Sequence, residues 1–280
     1  MVISKEEMQR QSSQYRRTIL DFVYSTKKGH IGGCYSCIDI LTMLYFGKLL
    51  SYDAQNPEWE NRDRFLLSKG HCALALYVVL SDVGFFDRSV LKSFGQNGSY
   101  LGAHPDFRLA GVEVSSGSLG NGLGIAAGMA LADRYDEKAR NTVVLTGDGE
   151  CYEGSVWEGA MLAGHHKLKN LIWFVDRNRQ CVLDYTEDIN QLDFLNDALP
   201  LLGWDVLVVD GHNFDEYDRL KQNIESRERK KPLCIIANTI KGKGVSFMEQ
   251  RLEWHHKVPS MDEYKRAIDE IERAGLCRMK

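Results

Sequence analysis

Apolar residues recur along this chain in two alternating rhythms. From Lys5 to Thr26, Tyr15, Ile19, Phe22 and Val23 fall on one face at helical spacing. Helical spacing resumes from Ser36 or Cys37 to Leu50 through Ile40, Leu41, Leu44 and Tyr45. Between them, Lys27 to Gly33 reads as a glycine-rich turn that holds His30. After a polar loop from Pro57 to Arg64 comes a short apolar run, Phe65 to Ser68, with the period of a strand. Ala73 to Val83 is apolar all round and predicts a buried helix. The alternation then repeats. Strands are expected at Thr142–Thr146, Leu171–Val175, Trp204–Asp210 and Leu233–Thr239. Helices are expected at Leu123–Tyr135, Glu153–Lys167, Asp193–Gly203, Phe214–Ser226 and Met261–Ala274.

Strands that alternate with helices predict an α/β fold, a doubly wound and mostly parallel sheet with helices on both faces. No repeat, low-complexity tract or linker divides the chain, so residues 1–280 are expected to form a single domain. The strand ends lead into turns rich in glycine and polar residues, and in open α/β sheets ligands bind at the carboxyl ends of the strands.

Composition narrows the partners. The 280 residues carry a net charge of −4, which disfavours nucleic acid or an anionic membrane surface. The polar start, Met1 to Gln14, does not read as a signal peptide, and the uncharged stretch from Val114 to Ala132 is too broken by glycine and polar residues to span a membrane. Seven cysteines without a framework suggest free thiols in a reducing compartment, hence a cytoplasmic protein. Cys34 and Cys37 have redox-motif spacing, but no strand precedes them, and inert thiols are the expectation.

The densest candidate chemistry is Gly147-Asp148-Gly149-Glu150, followed one crossover later by Asp176-Arg177-Asn178-Arg179-Gln180. Asp148 and Asn178 should meet on neighbouring strand ends, although they are far apart in sequence. Two hard oxygen donors suit Mg²⁺, which takes carboxylate, water and phosphate oxygens. The glycines allow close approach to a diphosphate, and the following helix start favours an anion. Asp-Gly alone is a common turn pair; the matching Asn178 argues for more than a turn. His30, His71, His104 and the pair His255-His256 all fall in irregular turns, where they can bind hydroxyls or phosphate, or move protons near neutral pH. Their loose spacing disfavours a zinc site. His165, His166 and His212 read as helix surface and turn.

Together these residues resemble the thiamine-diphosphate-binding half of the transketolases. The resemblance runs from about Gln11 to Pro259, through Lys28-Gly29-His30, Ser68-Lys69-Gly70-His71, Gly102-Ala103-His104-Pro105, Gly117-Ser118-Leu119-Gly120, Gly147-Asp148-Gly149, Asn178, Lys241-Gly242-Lys243-Gly244 and Trp254-His255. It implies that Asp148, Asn178 and the backbone carbonyl of Gln180 hold Mg²⁺, and that Gly149, His71, Lys241, His255 and Asn178 contact thiamine diphosphate. It places Gly117, Ser118 and Leu119 against the aminopyrimidine. His30, His104 and His255 would face the reacting carbon and the sugar, and Glu153 would sit at the subunit junction.

The chain stops after the first domain of the single-chain family. The glutamate that bonds the pyrimidine ring and most arginines for the sugar phosphate would therefore come from elsewhere. Lys28, Gly33 and Ser118 replace residues usual in relatives. These departures imply the N-terminal subunit of a split transketolase, completed by a C-terminal partner subunit in a heterotetramer. It would move a ketol unit between sugar phosphates, in carbohydrate metabolism of the pentose phosphate kind. Two rivals are the alpha chain of a 2-oxo-acid dehydrogenase or another thiamine-diphosphate lyase or synthase, and a non-catalytic Mg²⁺-dependent nucleotide or phosphate binder. The latter is weakened by the lack of a Gly-x-x-x-x-Gly-Lys-Ser/Thr loop.

Overall fold

A computed structural model describes residues 3–226 and 228–276. Five strands form one parallel sheet: β1 (Arg64–Leu67), β2 (Thr142–Gly147), β3 (Leu171–Arg177), β4 (Asp205–Asp210) and β5 (Leu233–Asn238), in the order β1-β2-β3-β5-β4. In register, Leu67 pairs with Leu145, Gly147 with Asp176, and Arg177 with Asn238, so the C-terminal ends of β1, β2, β3 and β5 stand side by side. The helices are α1 (Lys5–Thr26), α2 (Ile31–Leu41), α3 (Ala73–Asp82), α4 (Asn121–Tyr135), α5 (Gly154–His165), α6 (Thr186–Ile189), α7 (Leu195–Leu201), α8 (Tyr217–Glu225) and α9 (Met261–Leu276).

Strand alternation divides the core into two apolar layers. Val143, Leu145, Ile172, Phe174 and Ile235 pack under α1, α2 and α3. Val144, Leu171, Trp173, Val175 and Ile236 face the other way, against Leu123, Ala126, Val156, Ala160 and Leu199 of α4, α5 and α7. Both buried indoles in this second layer find acceptors: Trp173 Nε1 donates to Thr146 Oγ1 at 2.8 Å and Trp204 Nε1 to the Ala160 carbonyl at 2.9 Å. This is the doubly wound α/β architecture with helices on both faces.

Helix α1 begins at a capping box. Ser4 Oγ accepts from the Glu7 amide at 3.1 Å, and Glu7 Oε2 accepts from the Ser4 amide at 2.7 Å. It ends at Lys27 with a left-handed φ of 58°.

Helix α2 corrects one expectation, because it starts at Ile31 and contains Gly32 and Gly33. A Cβ on Gly32 would lie 2.7 Å from the Trp254 carbonyl oxygen, and one on Gly33 would lie 2.8 Å from Cys72 Sγ. The glycines are thus demanded by close helix packing and not by a turn. After Leu41 the helix widens into a π turn, Thr42–Phe46. Cys34 and Cys37 are buried in α2, and Cys37 Sγ donates to the Cys34 carbonyl at 3.7 Å. The Cys37 pKa is raised, first by its hydrogen bond with Cys72 and then by burial, which disfavours the thiolate form. The six described cysteines are free thiols, and Cys277 lies outside the described residues. Among the described residues no helix is long and apolar enough to cross a membrane.

Candidate active site

The four aligned strand ends deliver polar groups to one cleft of about 400 Å³, within the size range of small-molecule sites. His71 follows β1, Asp148 and Gly149 follow β2, Asn178 and Gln180 follow β3, and Lys241 follows β5; all line the cleft. His104 comes from the irregular loop after α3, and His255 from a single turn, Leu252–His255, before α9.

Asp148 is almost fully buried. Oδ1 accepts from the Gly149 amide at 2.8 Å, and Oδ2 accepts from the Arg179 amide at 2.6 Å and from Arg177 Nη1 at 3.1 Å. A carboxylate offers about four acceptor positions, so one on Oδ1 remains for a cation. Burial, and then the neighbouring Asp176, raise the Asp148 pKa, and a cation bound beside it would oppose both effects.

Asn178 Nδ2 donates towards Asp176 Oδ2 at 3.3 Å and Ser36 Oγ at 3.4 Å. That fixes the amide with its oxygen turned away from Asp176, where it accepts from the Gln180 amide at 3.1 Å. Asp176 also accepts from Lys69, Ser36 and Thr239, so one buried carboxylate ties together the ends of β1, β3 and β5 and helix α2. Burial alone would raise the Asp176 pKa; Lys69 beside it prevails and lowers it. The two side-chain polar atoms of Gln180 are buried without a protein partner, as is His30 Nδ1.

The histidines converge. The His30 ring centroid lies 5.4 Å from that of His71, 5.2 Å from His255, 4.6 Å from His256 and 6.5 Å from His104. Burial, then the neighbouring His256, His104 and Lys241, push the His30 pKa down to about 4. Burial and Lys241 push His255 down to about 3, and burial and Lys69 depress His71. These three imidazoles are neutral at pH 7. Lys241 Nζ lies 2.9 Å from His255 Nδ1 and 3.3 Å from the Cys181 carbonyl. Burial, and then Lys69, push its pKa down to about 8.

Glycines give the cleft its width. A Cβ on Gly117, whose φ is +135°, would lie 2.8 Å from the His104 ring, and one on Gly149 would lie 2.7 Å from the Cys181 Cβ. Gly117, Leu119 and Glu153 line the cleft. Ser118 does not; it lines a neighbouring hollow, where Asn121 Nδ2 donates to its Oγ at 3.1 Å. His212 lies in a turn, after β4, as expected. It is largely buried, and its Nδ1 lies 2.6 Å from Asp39 Oδ2.

Glu150 and Cys181 also line the cleft, although the sequence pattern assigns neither a role. Glu150 is buried and accepts from Ser68 Oγ and from the Gly120 amide, pinning the turn before α4 to the Gly-Asp-Gly turn. An acid three residues after a strand-ending glycine is the signal that could have found it.

A profile of the family described as "Transketolase, thiamine diphosphate binding domain" matches residues 8–269. Among curated relatives, an apulose-4-phosphate transketolase subunit from Phocaeicola vulgatus is 42% identical over 266 residues, covering 95% of this chain and 94% of the relative. The "6-deoxy-6-sulfo-D-fructose transketolase subunit SqwG" of a Clostridium species is 39% identical, covering 96% of this chain and 98% of the relative. Among solved structures, a transketolase from Campylobacter jejuni aligns with a TM-score of 0.82 at 27% identity; the alignment covers 97% of this chain and 48% of that one. The chain thus spans about half the length of that structure.

Proposed function

The chain belongs to the transketolase family, in its thiamine diphosphate binding domain, and from that premise we propose that it is the N-terminal subunit of a two-chain, Mg²⁺-dependent transketolase. The relatives favour this over the alpha chain of a 2-oxo-acid dehydrogenase. Relatives that are themselves named as transketolase subunits match it over nearly their whole length, which implies a partner chain. The assembly proposed is a heterotetramer in the cytoplasm.

The residues present fit the cofactor. Asp148 keeps an acceptor position for a divalent ion, and Asn178, whose amide oxygen is turned away from Asp176, lines the same cleft. Gln180 would add its backbone carbonyl, and Lys241 and His71, which line the same cleft, would contact the diphosphate. Bound there, the cofactor supplies the carbanion chemistry of ketol transfer. The chain's own part is to bind, orient and move protons. In the reaction proposed, the C2–C3 bond of a ketose breaks and a new bond forms to the aldehyde carbon of an aldose. As C2–C3 breaks, the hydroxyl proton on C3 passes to a neutral imidazole among His30, His104 and His255; the acceptor oxygen later receives one. His30 Nδ1, buried without a protein partner, is the nitrogen left open to take that proton. The two relatives' names carry a phosphate and a sulfonate, so the substrates proposed are ketoses with an anionic end.

The observation that carries this reading is the meeting of Asp148, Asn178, Lys241 and His71 at four adjacent strand ends, with His104 and His255 in the same cleft. Its test is ketol transfer from a ketose phosphate or sulfonate to an aldose, measured for each of the two chains separately and for the pair. Transfer by the pair only is expected. Full transfer by this chain without its partner, or none by the pair, contradicts the reading.

A further inference from the structure

Behind the cleft lies a polar cluster that takes no part in the chemistry just described. Arg16 of α1 and Asp39 of α2 form a buried ion pair, with Arg16 Nη2 at 2.6 Å from Asp39 Oδ2 and Nη1 at 2.9 Å from Oδ1. Ser12 donates to the same carboxylate. His212, in the turn after β4, meets Asp39 Oδ2 through Nδ1 at 2.6 Å. On its other side, His212 Nε2 receives the backbone N–H of Ile240 at 2.8 Å. A backbone N–H can only donate, so Nε2 accepts and Nδ1 carries the proton towards Asp39; the ring is held in one tautomer.

The two outer contacts of this cluster bracket Lys241. Ile240 immediately precedes it. Just beyond it, the Lys243 carbonyl accepts from Arg16 Nε at 2.9 Å. Between them the Gly242 amide donates to the Gly32 carbonyl at 3.0 Å, and the Lys241 carbonyl accepts from the Gln250 amide at 3.0 Å. Lys241 is therefore a cation projecting into the cleft from a backbone segment tied down on both flanks. A flexible side chain gains reproducible geometry from such a support.

We propose that His212 and Arg16, joined through Asp39, are positioning residues for Lys241: they clamp residues 240–243 so that the ammonium group is held ready for the cofactor diphosphate. The inference rests on the proposed role of Lys241 at the diphosphate. Neither residue touches the cleft, so their effect should appear in cofactor affinity more than in the rate at saturating cofactor.

The test uses this chain assembled with its partner subunit, with thiamine diphosphate and Mg²⁺ as the probe. His212→Phe removes both hydrogen bonds of the ring. Arg16→Lys keeps a cation beside Asp39 and removes the bond to the Lys243 carbonyl. Each should raise the Kd for thiamine diphosphate about tenfold, with a smaller change in kcat at saturating cofactor. Amide exchange should quicken in residues 240–244 and not elsewhere. His212→Gln, whose amide can donate to Asp39 and accept from Ile240, should recover most of the affinity.

The clamp is overturned if folded His212→Phe or Arg16→Lys keeps both wild-type Kd and wild-type exchange. It is equally overturned if exchange rises evenly along the chain, as a general loss of stability would cause. If His212→Phe does not fold, Arg16→Lys decides alone. Lys241→Ala separates the two ideas: unchanged Kd in that variant removes Lys241 from the cofactor site, while exchange at residues 240–244 still tests the clamp.

Discussion

At the scale of single residues, the charge of Lys241 decides how the site meets an anion. Its pKa is pushed down to about 8 by burial and by Lys69. The lysine is charged below that value and neutral above it, and a diphosphate binds the charged form. Affinity for thiamine diphosphate should therefore fall as pH rises through about 8, and Lys241→Ala should flatten that limb. Binding titrations at several pH values check this; an unaltered slope in the variant would rule out the lysine as its source. That Asp148, Asn178, Lys241, His71, His104 and His255 would share one cleft was legible in the sequence, because each sits in a polar turn among buried apolar runs. Asp176 and His212 were not legible in their roles. The partners of Asp176 lie on α2 and just past β1 and β5, and His212 bridges Asp39 to Ile240. No local pattern announces contacts made over such separations. Ser118, between two cleft-lining neighbours, lines a different hollow.

At the scale of elements, amphipathic spacing and caps were readable where packing agreed with local preference. Helix α1 has the bounds that its apolar stripe indicates, and its capping box closes the N-terminus. Helix α2 starts earlier than its sequence suggests, because glycine's poor helix propensity is outweighed by the close approach of Trp254 and Cys72. The two helices are joined by the buried pair of Arg16 and Asp39. Burial alone would raise the Asp39 pKa, but Arg16 and His212 beside it prevail, holding it below the usual carboxylate range. A carboxyl with a depressed folded pKa stabilises the fold above its unfolded pKa, about 4, and that stability is lost as pH falls. Asp39→Ala leaves Arg16 buried without its partner and should cost about 3–5 kcal/mol, with a weaker acid dependence of stability below about pH 4. Urea unfolding at neutral and acid pH measures both, and a cost near zero would mean that the ion pair does not hold α1 to α2.

At the scale of the whole molecule, the alternation of strands and helices was enough to indicate a doubly wound parallel sheet, but not the strand order. That order, with β5 between β3 and β4, places Lys241 beside Asn178 and so assembles the cleft. The need for a partner comes from comparison: the chain matches relatives named as transketolase subunits over nearly their whole length and spans about half of a solved transketolase. Asp148, through its remaining acceptor position, is proposed to hold a divalent ion that anchors the diphosphate. The direct measurement is calorimetric titration of thiamine diphosphate, with and without Mg²⁺, into wild type and Asp148→Ala assembled with the partner subunit. The expected result is Mg²⁺-dependent binding by wild type and none by a variant that keeps its far-ultraviolet circular dichroism. Equal binding by the two proteins would contradict the account.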